Sequence, residues 1–180
     1  MKTETLPVLP KQLIGMTLLI ALPMLVAAAG IQLLPRSRAL NHTDVGMAAA
    51  LLLAMLALAG GVLASMLLRR SICLDGDSLI IKASFYTAHL NRAELHSLTL
   101  ARVEQARDLP VCIRTNGAAA FGYLAGWFSG SRGERCFCAV GALPATVFRF
   151  NAGALVTLLI VSCSAAMAEA IDHWLKSRTS

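Results

Sequence analysis

The segment that decides the fold, residues 114–140, reads RTNGAAAFGYLAGWFSGSRGERCFCAV and holds five of the 13 glycines of this 180-residue chain. An aromatic pair, Trp127-Phe128, lies near its middle, and a Cys-x-Cys sequence at Cys136 and Cys138 lies near its end. A Gly/Ser-rich stretch separates the two, which is typical of a β-hairpin connection. The segment therefore predicts strands joined by turns, and it raises the question of whether its glycines or cysteines also bind a ligand.

Three kinds of chemistry use glycines or cysteines of this kind: phosphate binding, metal binding and nucleophilic catalysis. The glycine spacing matches neither a P-loop nor a dinucleotide-binding fingerprint. Two thiols one residue apart share a strand face, but structural zinc prefers two to four intervening residues and needs four ligands. A catalytic set can be assembled only by combining Cys136 with the distant His96 and Asp108, and no signature supports it. We therefore predict no catalytic residue, no metal and no cofactor, and interpret the cysteines as small apolar packing residues.

Composition places the chain in a membrane. Its mean hydropathy is +0.66, and 57% of its residues are hydrophobic while 14% are charged, against about 25% charged in an ordinary soluble domain. The net charge of +6 comes from scattered residues, which argues against a nucleic-acid partner and favours a surface near anionic lipid. The five cysteines have no secretory framework spacing, and free cysteines favour a reducing compartment.

Two long uncharged runs predict transmembrane helices at residues 13–34 and 45–68. The first could span ~33 Å, enough for a hydrocarbon core of ~30 Å. The short polar link between them predicts an antiparallel hairpin. Lys11, Arg69 and Arg70 flank the runs and are predicted to lie at the membrane interface. Gly60-x-x-x-Ala64 suits close helix packing, although an Ala-rich helix explains it equally well.

The flanking charges and the cysteines predict that both termini are cytoplasmic and that the chain is a multi-pass protein of the inner membrane. Residues 1–12 form a cytoplasmic N-terminus in this interpretation, and residues 69–180 form a cytoplasmic domain. An alternative is a signal peptide cleaved near Ala27-Ala28-Ala29, but the apolar run is long for one.

Short strands and turns follow the second apolar run. A hairpin is predicted around Asp75-Gly76-Asp77, and a strand is predicted at residues 85–90 and more weakly at 96–103. A further strand, 111–114, is predicted to end in a turn at Asn116-Gly117. Two more hairpins are predicted across residues 129–133 and 151–153. Strands of this length and spacing predict a sandwich or barrel.

The last element is predicted to be an amphipathic helix. Ser164 can cap it, and the helical spacing of its apolar residues predicts one buried face, formed by Met167, Ile171, Trp174 and Leu175. An alternative is a third membrane span, because residues 152–168 carry no charge, at the short limit of length for spanning.

A family resemblance becomes visible once these elements are in order. The opening segment contains a motif that consists of Arg114, Thr115, Asn116, Gly117, Gly122, Tyr123, Gly126, Trp127 and Phe128. This motif, followed by a basic turn, a strand and a closing helix, resembles the bacterial pleckstrin-homology-like (PH-like) domains, over about residues 71–176. The resemblance implies a seven-stranded, partly open barrel or sandwich closed by one helix, after two membrane helices. Where relatives carry acidic residues, this chain has Ser164-Ala165-Ala166 and Gly141.

The resemblance implies binding and assembly, with no established catalysis. We therefore predict a non-enzymatic module that mediates protein–protein or membrane-surface interaction, with membrane lipid, another membrane protein or a second copy as partner. The motif aromatics would form a partner surface if they were exposed together. The alternative is a membrane enzyme or transport accessory protein with a Cys/His site on the cytosolic domain.

Overall fold

The computed structural model describes residues 1–33, 42–95, 98–150 and 156–177. Two long helices precede most of the strands, α1 (Pro10–Leu33) and α2 (His42–Leu68). Pro10 suits the first position of a helix, where its missing N–H leaves no bond unmade, and the Gln12 side chain accepts a hydrogen bond from Leu9 N at 3.0 Å. The helices pack against each other, and both are long and apolar enough to cross a membrane. The two predicted helices are thus confirmed, with α1 beginning at Pro10 and α2 at His42.

The described strands form two sheets and one closing helix follows them. The first sheet has the order β1-β2-β3-β4 and the second the order β5-β9-β10-β8-β7-β6. The elements are β1 (Lys2–Thr5), β2 (Arg70–Asp75), β3 (Ser78–Ala83), β4 (Tyr86–Asn91), β5 (Leu98–Val103), β6 (Val111–Ala120), β7 (Tyr123–Gly130), β8 (Arg135–Val140), β9 (Ala145–Phe150), β10 (Leu158–Val161) and α3 (Ala165–Lys176).

The α+β class is confirmed, but the seven-stranded barrel is wrong, because the described residues form ten strands in two sheets that do not close. The hairpins around Gly76 and across residues 129–133 are confirmed by the pairing of β2 with β3 and of β7 with β8. The turn at Asn116-Gly117 is wrong, since β6 runs on to Ala120 and turns at Phe121-Gly122. His96 and the predicted turn at 151–153 lie outside the described residues.

The N-terminal segment belongs to the sheet domain. Strand β1 pairs antiparallel with β2, from Lys2 opposite Leu74 to Thr5 opposite Ser71. The Glu4 carboxylate also accepts hydrogen bonds from Ser164 N at 2.8 Å and Ser164 Oγ at 2.7 Å, at the start of α3. Residues 2–5 therefore pair with the sheet that follows α2. A four-residue polar strand before a long apolar run gives almost no pattern to read.

The two sheets share one core. Apolar side chains of both sheets, with the buried face of α3, form a continuous cluster that includes Ile81, Phe137, Phe148 and Ile171. A second cluster, which includes Phe128, Cys136 and Cys138, lies on the other face of the six-stranded sheet. The six-stranded sheet is therefore buried on both faces over β8 and β10, which explains why these strands read as continuous apolar runs.

The closing helix is confirmed. The Ser164 side chain accepts a hydrogen bond from Met167 N at 3.2 Å, and Met167, Ile171 and Trp174 are buried while Leu175 is half-buried. The third membrane span is wrong, because β10 is hydrogen-bonded between β9 and β8 before α3 begins. A chain segment paired on both sides within a sheet cannot also be part of a membrane helix.

Trp174 fixes α3 to the first hairpin. Its ring is 7% exposed, its Nε1 donates a hydrogen bond to the Gly76 carbonyl at 2.6 Å, and the Arg92 guanidinium lies 5.6 Å from the ring centroid. Truncating a buried large aromatic side chain typically costs about 3–5 kcal/mol.

We predict that Trp174→Ala in the full chain lowers the free energy of unfolding by about 3–5 kcal/mol, measured by urea titration in mild detergent with circular dichroism. Trp174→Phe should cost less, because it removes the hydrogen bond and keeps most of the packing. His173→Ala is the control, since that side chain is exposed. Equal tolerance of Trp174→Ala and His173→Ala would contradict the packing of α3.

Candidate functional site at the helix–sheet junction

The motif glycines allow two strands to approach closely. Gly117 on β6 lies opposite Gly126 on β7. A Cβ at Gly117 would meet the Ala125 carbonyl oxygen at 2.7 Å, and one at Gly126 would meet the Asn116 carbonyl oxygen at 2.7 Å. Gly126 also has a φ of 109°, which side chains rarely adopt. These two glycines thus serve the packing of paired strands and do not form a turn.

The motif aromatics lie on different faces of the six-stranded sheet. Tyr123 is 3% exposed in the shared core, while Phe128 is 4% exposed in the second cluster. Trp127 is half-buried, and its ring meets that of Phe137 edge to face at a centroid distance of 5.0 Å. The three rings therefore do not form one exposed partner surface, because neighbouring positions of a strand point to opposite faces.

The polar part of the motif is exposed at Arg114, Thr115 and Asn116, and the last two line a groove of about 440 Å³. Glu134, which also lines this groove, already has partners for its carboxylate. Its pKa is lowered chiefly by a hydrogen bond from the Arg132 backbone N–H, and the Arg149 guanidinium lies 3.0 Å from the carboxylate.

The two cysteines of Cys136-x-Cys138 share a face of β8 and are fully buried. Their sulfur atoms are 3.5 Å apart. The hydrogen bond with Cys136, together with burial, raises the pKa of the Cys138 thiol. Asp108 is exposed in a short helical turn, and His96 lies outside the described residues. Among the described residues, no group of three His, Cys, Asp or Glu side chains could hold a metal ion.

The junction between the apolar helices and the sheets is closely built. Strand β1 leads into α1 and α2 leads into β2, so the paired strands place the start of α1 beside the end of α2. The Arg69 carbonyl accepts a hydrogen bond from Ser84 N at 2.8 Å. Met16 of α1 is buried in the shared core, and Leu63 and Leu67 of α2 pack against it. The two helices are therefore packed against the sheets and are not connected to them only by a flexible linker.

Gly141 permits the segment that contains Pro7 to pass close to the sheet. A Cβ at Gly141 would overlap the Pro7 carbonyl oxygen, on the segment that joins β1 to α1. The Gly141 and Ala142 N–H groups both donate to Ser162 Oγ at 3.2 Å. The glycine at position 141 thus has a structural reason, which is contact with the N-terminal segment.

The three predicted interface residues all lie at the junction. Lys11 and Arg69 are exposed, whereas Arg70 is half-buried. The Arg70 Nε is enclosed and has no hydrogen-bond partner among the described residues, and leaving such a donor unpaired costs about 1–3 kcal/mol. Burial raises the pKa of the Tyr123 hydroxyl, and the Arg70 guanidinium partly offsets this effect.

Two phenylalanines at this end of the molecule were not identified from the sequence. Phe85, in the turn after β3, is 50% exposed, and Phe121, in the turn after β6, is 51% exposed. The Phe121 ring packs against α1 at Gly15, where a Cβ would approach it to 2.9 Å. A large apolar residue at a turn tip is the signal that could have found them, since turn tips are ordinarily polar.

A larger groove lies at the edge of the six-stranded sheet opposite to β6. Its volume is about 460 Å³, and it runs between β5 and α3, with Thr99, Leu100 and Arg102 on one wall and Glu169 and Asp172 on the other. Strand β5 is an edge strand of the described sheet. The groove therefore combines an open strand edge with the apolar side chain of Leu100 and with charged residues, a combination that suits an extended peptide.

Comparison of the chain with protein-family models, with curated proteins and with solved structures gives no match.

The buried thiols make a reactivity prediction. Cys136 and Cys138 should resist maleimide in the folded protein, and the labelling of Cys138 should not increase between pH 7 and pH 9, because its raised pKa keeps the thiol protonated as the pH rises past the ordinary thiol value of about 8.5. Labelled peptides are identified by mass spectrometry, with urea-unfolded protein as the control for full reactivity. Rapid native labelling at Cys138 would contradict the packing of β8.

Proposed function

We propose that the chain is a non-enzymatic, membrane-anchored interaction module, whose two apolar helices cross the bacterial inner membrane and whose PH-like sheet domain lies on the cytoplasmic face. The observation that carries this proposal is the junction, where two exposed apolar helices leave neighbouring strands of one sheet. Only 6% of each apolar segment is buried within the molecule. Exposed apolar surface of this extent calls for a lipid or protein environment.

The orientation is supported by charge and by the cysteines. Lys2, Lys11, Arg69 and Arg70 all belong to the end of the helix pair that carries the sheets, against Arg36 and Arg38 in the connecting segment. Positive residues are retained on the cytoplasmic side of a membrane. The described cysteines are free thiols, which suits a reducing compartment.

A reporter fusion tests this topology. An alkaline phosphatase reporter, active only outside the cytoplasm, should be silent when it is fused after Ser180 and active when it is inserted at Asn41. Alkaline carbonate washing should leave the full chain in the membrane pellet. Activity at Ser180, or release of the chain by carbonate, would contradict the proposed anchoring.

The partner surface is the groove between β5 and α3, and its occupant is an extended segment of another membrane protein or of a second copy. The edge of β5 offers backbone groups for pairing, and Leu100, which is 43% exposed, offers an apolar contact beside them. Arg102 and Glu169 can pair with charges on the segment. Because the helices are fixed to the sheets, this groove would be held at a constant distance from the membrane surface.

The non-enzymatic character is supported by the state of the thiols. A nucleophilic cysteine must be reachable and readily ionised, whereas Cys136 and Cys138 are fully buried. The alternative, an enzyme or transport accessory protein with a Cys/His site, has no supporting observation among the described residues. Cys136→Ala with Cys138→Ala should leave partner binding intact.

Site-specific photo-crosslinking in native membranes tests the partner surface. A photo-reactive residue at Thr99 should give a discrete crosslinked band, identified by mass spectrometry, and one at the exposed turn residue Ser131 should not. Leu100→Asp should abolish the Thr99 band, because it replaces an apolar contact of the groove with a charge. Ile113→Asp is the matched control, since Ile113 is 65% exposed on β6 and lies outside the groove.

Two outcomes would contradict this assignment. Equal loss of the band in both aspartate variants would indicate a general effect on folding or insertion, and retention of the band in Leu100→Asp would exclude the groove as the contact surface.

A further inference from the structure

The junction contains a groove of about 270 Å³ between the start of α1 and the end of α2. Among the described residues, its lining is apolar except for Arg70, and it includes Leu9, Leu13 and Leu68. Leu13 and Leu68 are also exposed on the outer surfaces of the helices. The groove thus joins an apolar surface that continues along both helices to the positive charge of Arg70.

Arg70 is available for an anion. Its Nε is enclosed and lacks a partner among the described residues, and the ion pairs among those residues do not include Arg70, Arg69 or Lys11. A guanidinium presents a fork of donors that matches the oxygens of a phosphate. An anion in the groove would pair with this guanidinium, which has no ion pair among the described residues.

The apolar lining decides which kind of anion fits. A soluble phosphate would leave the leucine-rich walls in contact with water, whereas a phospholipid can cover them with its acyl chain. Basic pockets between membrane helices on the cytoplasmic side are suited to anionic headgroups. The groove lies at the opposite end of β2 from the acidic hairpin at Asp75-Gly76-Asp77, so no carboxylate of that hairpin opposes the anion.

We propose that this groove binds one anionic phospholipid, with the phosphate on Arg70 and an acyl chain along Leu13 and Leu68. The site rests on the proposed membrane anchoring and adds to it a specific lipid, held at the corner where the helices meet the sheets. Because β2 begins at Arg70, the bound lipid would stabilise the junction itself and, with it, the orientation of the sheet domain on the membrane.

The test uses the full chain in a neutral detergent. Dioleoyl-phosphatidylglycerol is added, with dioleoyl-phosphatidylcholine and inorganic phosphate as the other arms, and the melting temperature is measured together with lipid retention by native mass spectrometry. A ligand that binds only the folded state raises the melting temperature. We expect phosphatidylglycerol to raise it and to be retained in a one-to-one complex, and the other two additions to give no comparable shift.

Three variants that change the net charge by the same amount test where the lipid binds. Arg70→Gln and Leu68→Glu each lower the net charge by one and alter the groove, and both should lose the phosphatidylglycerol shift and the retained lipid. Arg69→Gln makes the same charge change at an exposed position outside the groove lining, and it should keep both. Leu68 is exposed on the helix, so Leu68→Glu decides the matter if Arg70→Gln fails to fold.

Three results would overturn the proposal. Equal loss in Arg69→Gln would indicate diffuse attraction to anionic lipid, retention of the shift in Leu68→Glu would place the lipid elsewhere, and an equal shift with inorganic phosphate would indicate a soluble anion. Carbonate extraction of the same variants separates this failure from failure of the anchoring, because every variant should stay in the membrane pellet if only the lipid site is wrong.

Discussion

The antiparallel pairing of β1 with β2 is the constraint on which the rest of the molecule depends. One strand precedes the first apolar helix and the other follows the second, so their pairing closes the helix pair into a hairpin at the sheet. The same short strand places Glu4 at the start of α3. Both ends of the sheet domain are thereby tied to the N-terminal segment, and a long sequence separation is bridged by a few backbone hydrogen bonds.

This construction explains why the junction is crowded. Two helices fixed to adjacent strands bring Met16, Leu63 and Leu67 into contact with the shared core, and the linker at Pro7 passes so close to Gly141 that no side chain fits there. This arrangement differs from a domain tethered by a flexible linker, because the packed helices fix which surface of the sheet domain faces the proposed bilayer. The exposed Phe85 and Phe121 and the half-buried Arg70 all lie on that end, and aromatic and basic side chains are the residues that suit a membrane interface.

The opening segment shows how a motif can have a structural meaning. Its glycines permit close strand approach, its aromatic rings fill two separate cores, and its cysteines are buried small residues. Function is then expected at surfaces that carry no motif: the groove beside the edge strand β5 and the groove at the helix ends. Both grooves are formed by elements that are far apart in the sequence, and for that reason no local sequence pattern predicted either groove.

The sequence alone determined the elements with strong periodicity or composition. The uncharged runs predicted α1 and α2 within a few residues, the spacing from Met167 to Leu175 predicted the buried face of α3, and the turn at Gly76 predicted the first hairpin. These features depend on local chemistry, namely apolar content, side-chain period and turn residues. Lys11, Arg69 and Arg70 were also predicted at the interface from their positions beside the apolar runs.

Only the tertiary structure decided how the strands associate. The pairing of the polar strand β1 with β2, the parallel pairing of β10 with β8, and the continuation of β6 through Asn116-Gly117 all depend on partners distant in the chain. A turn dipeptide such as Asn-Gly is favourable in a hairpin, but here the close fit of Gly117 against Gly126 kept the strand extended. The Nε of Arg70, which has no partner among the described residues, likewise results from burial at the junction. Local sequence sets what a residue prefers, and long-range packing decides which of its preferences is satisfied.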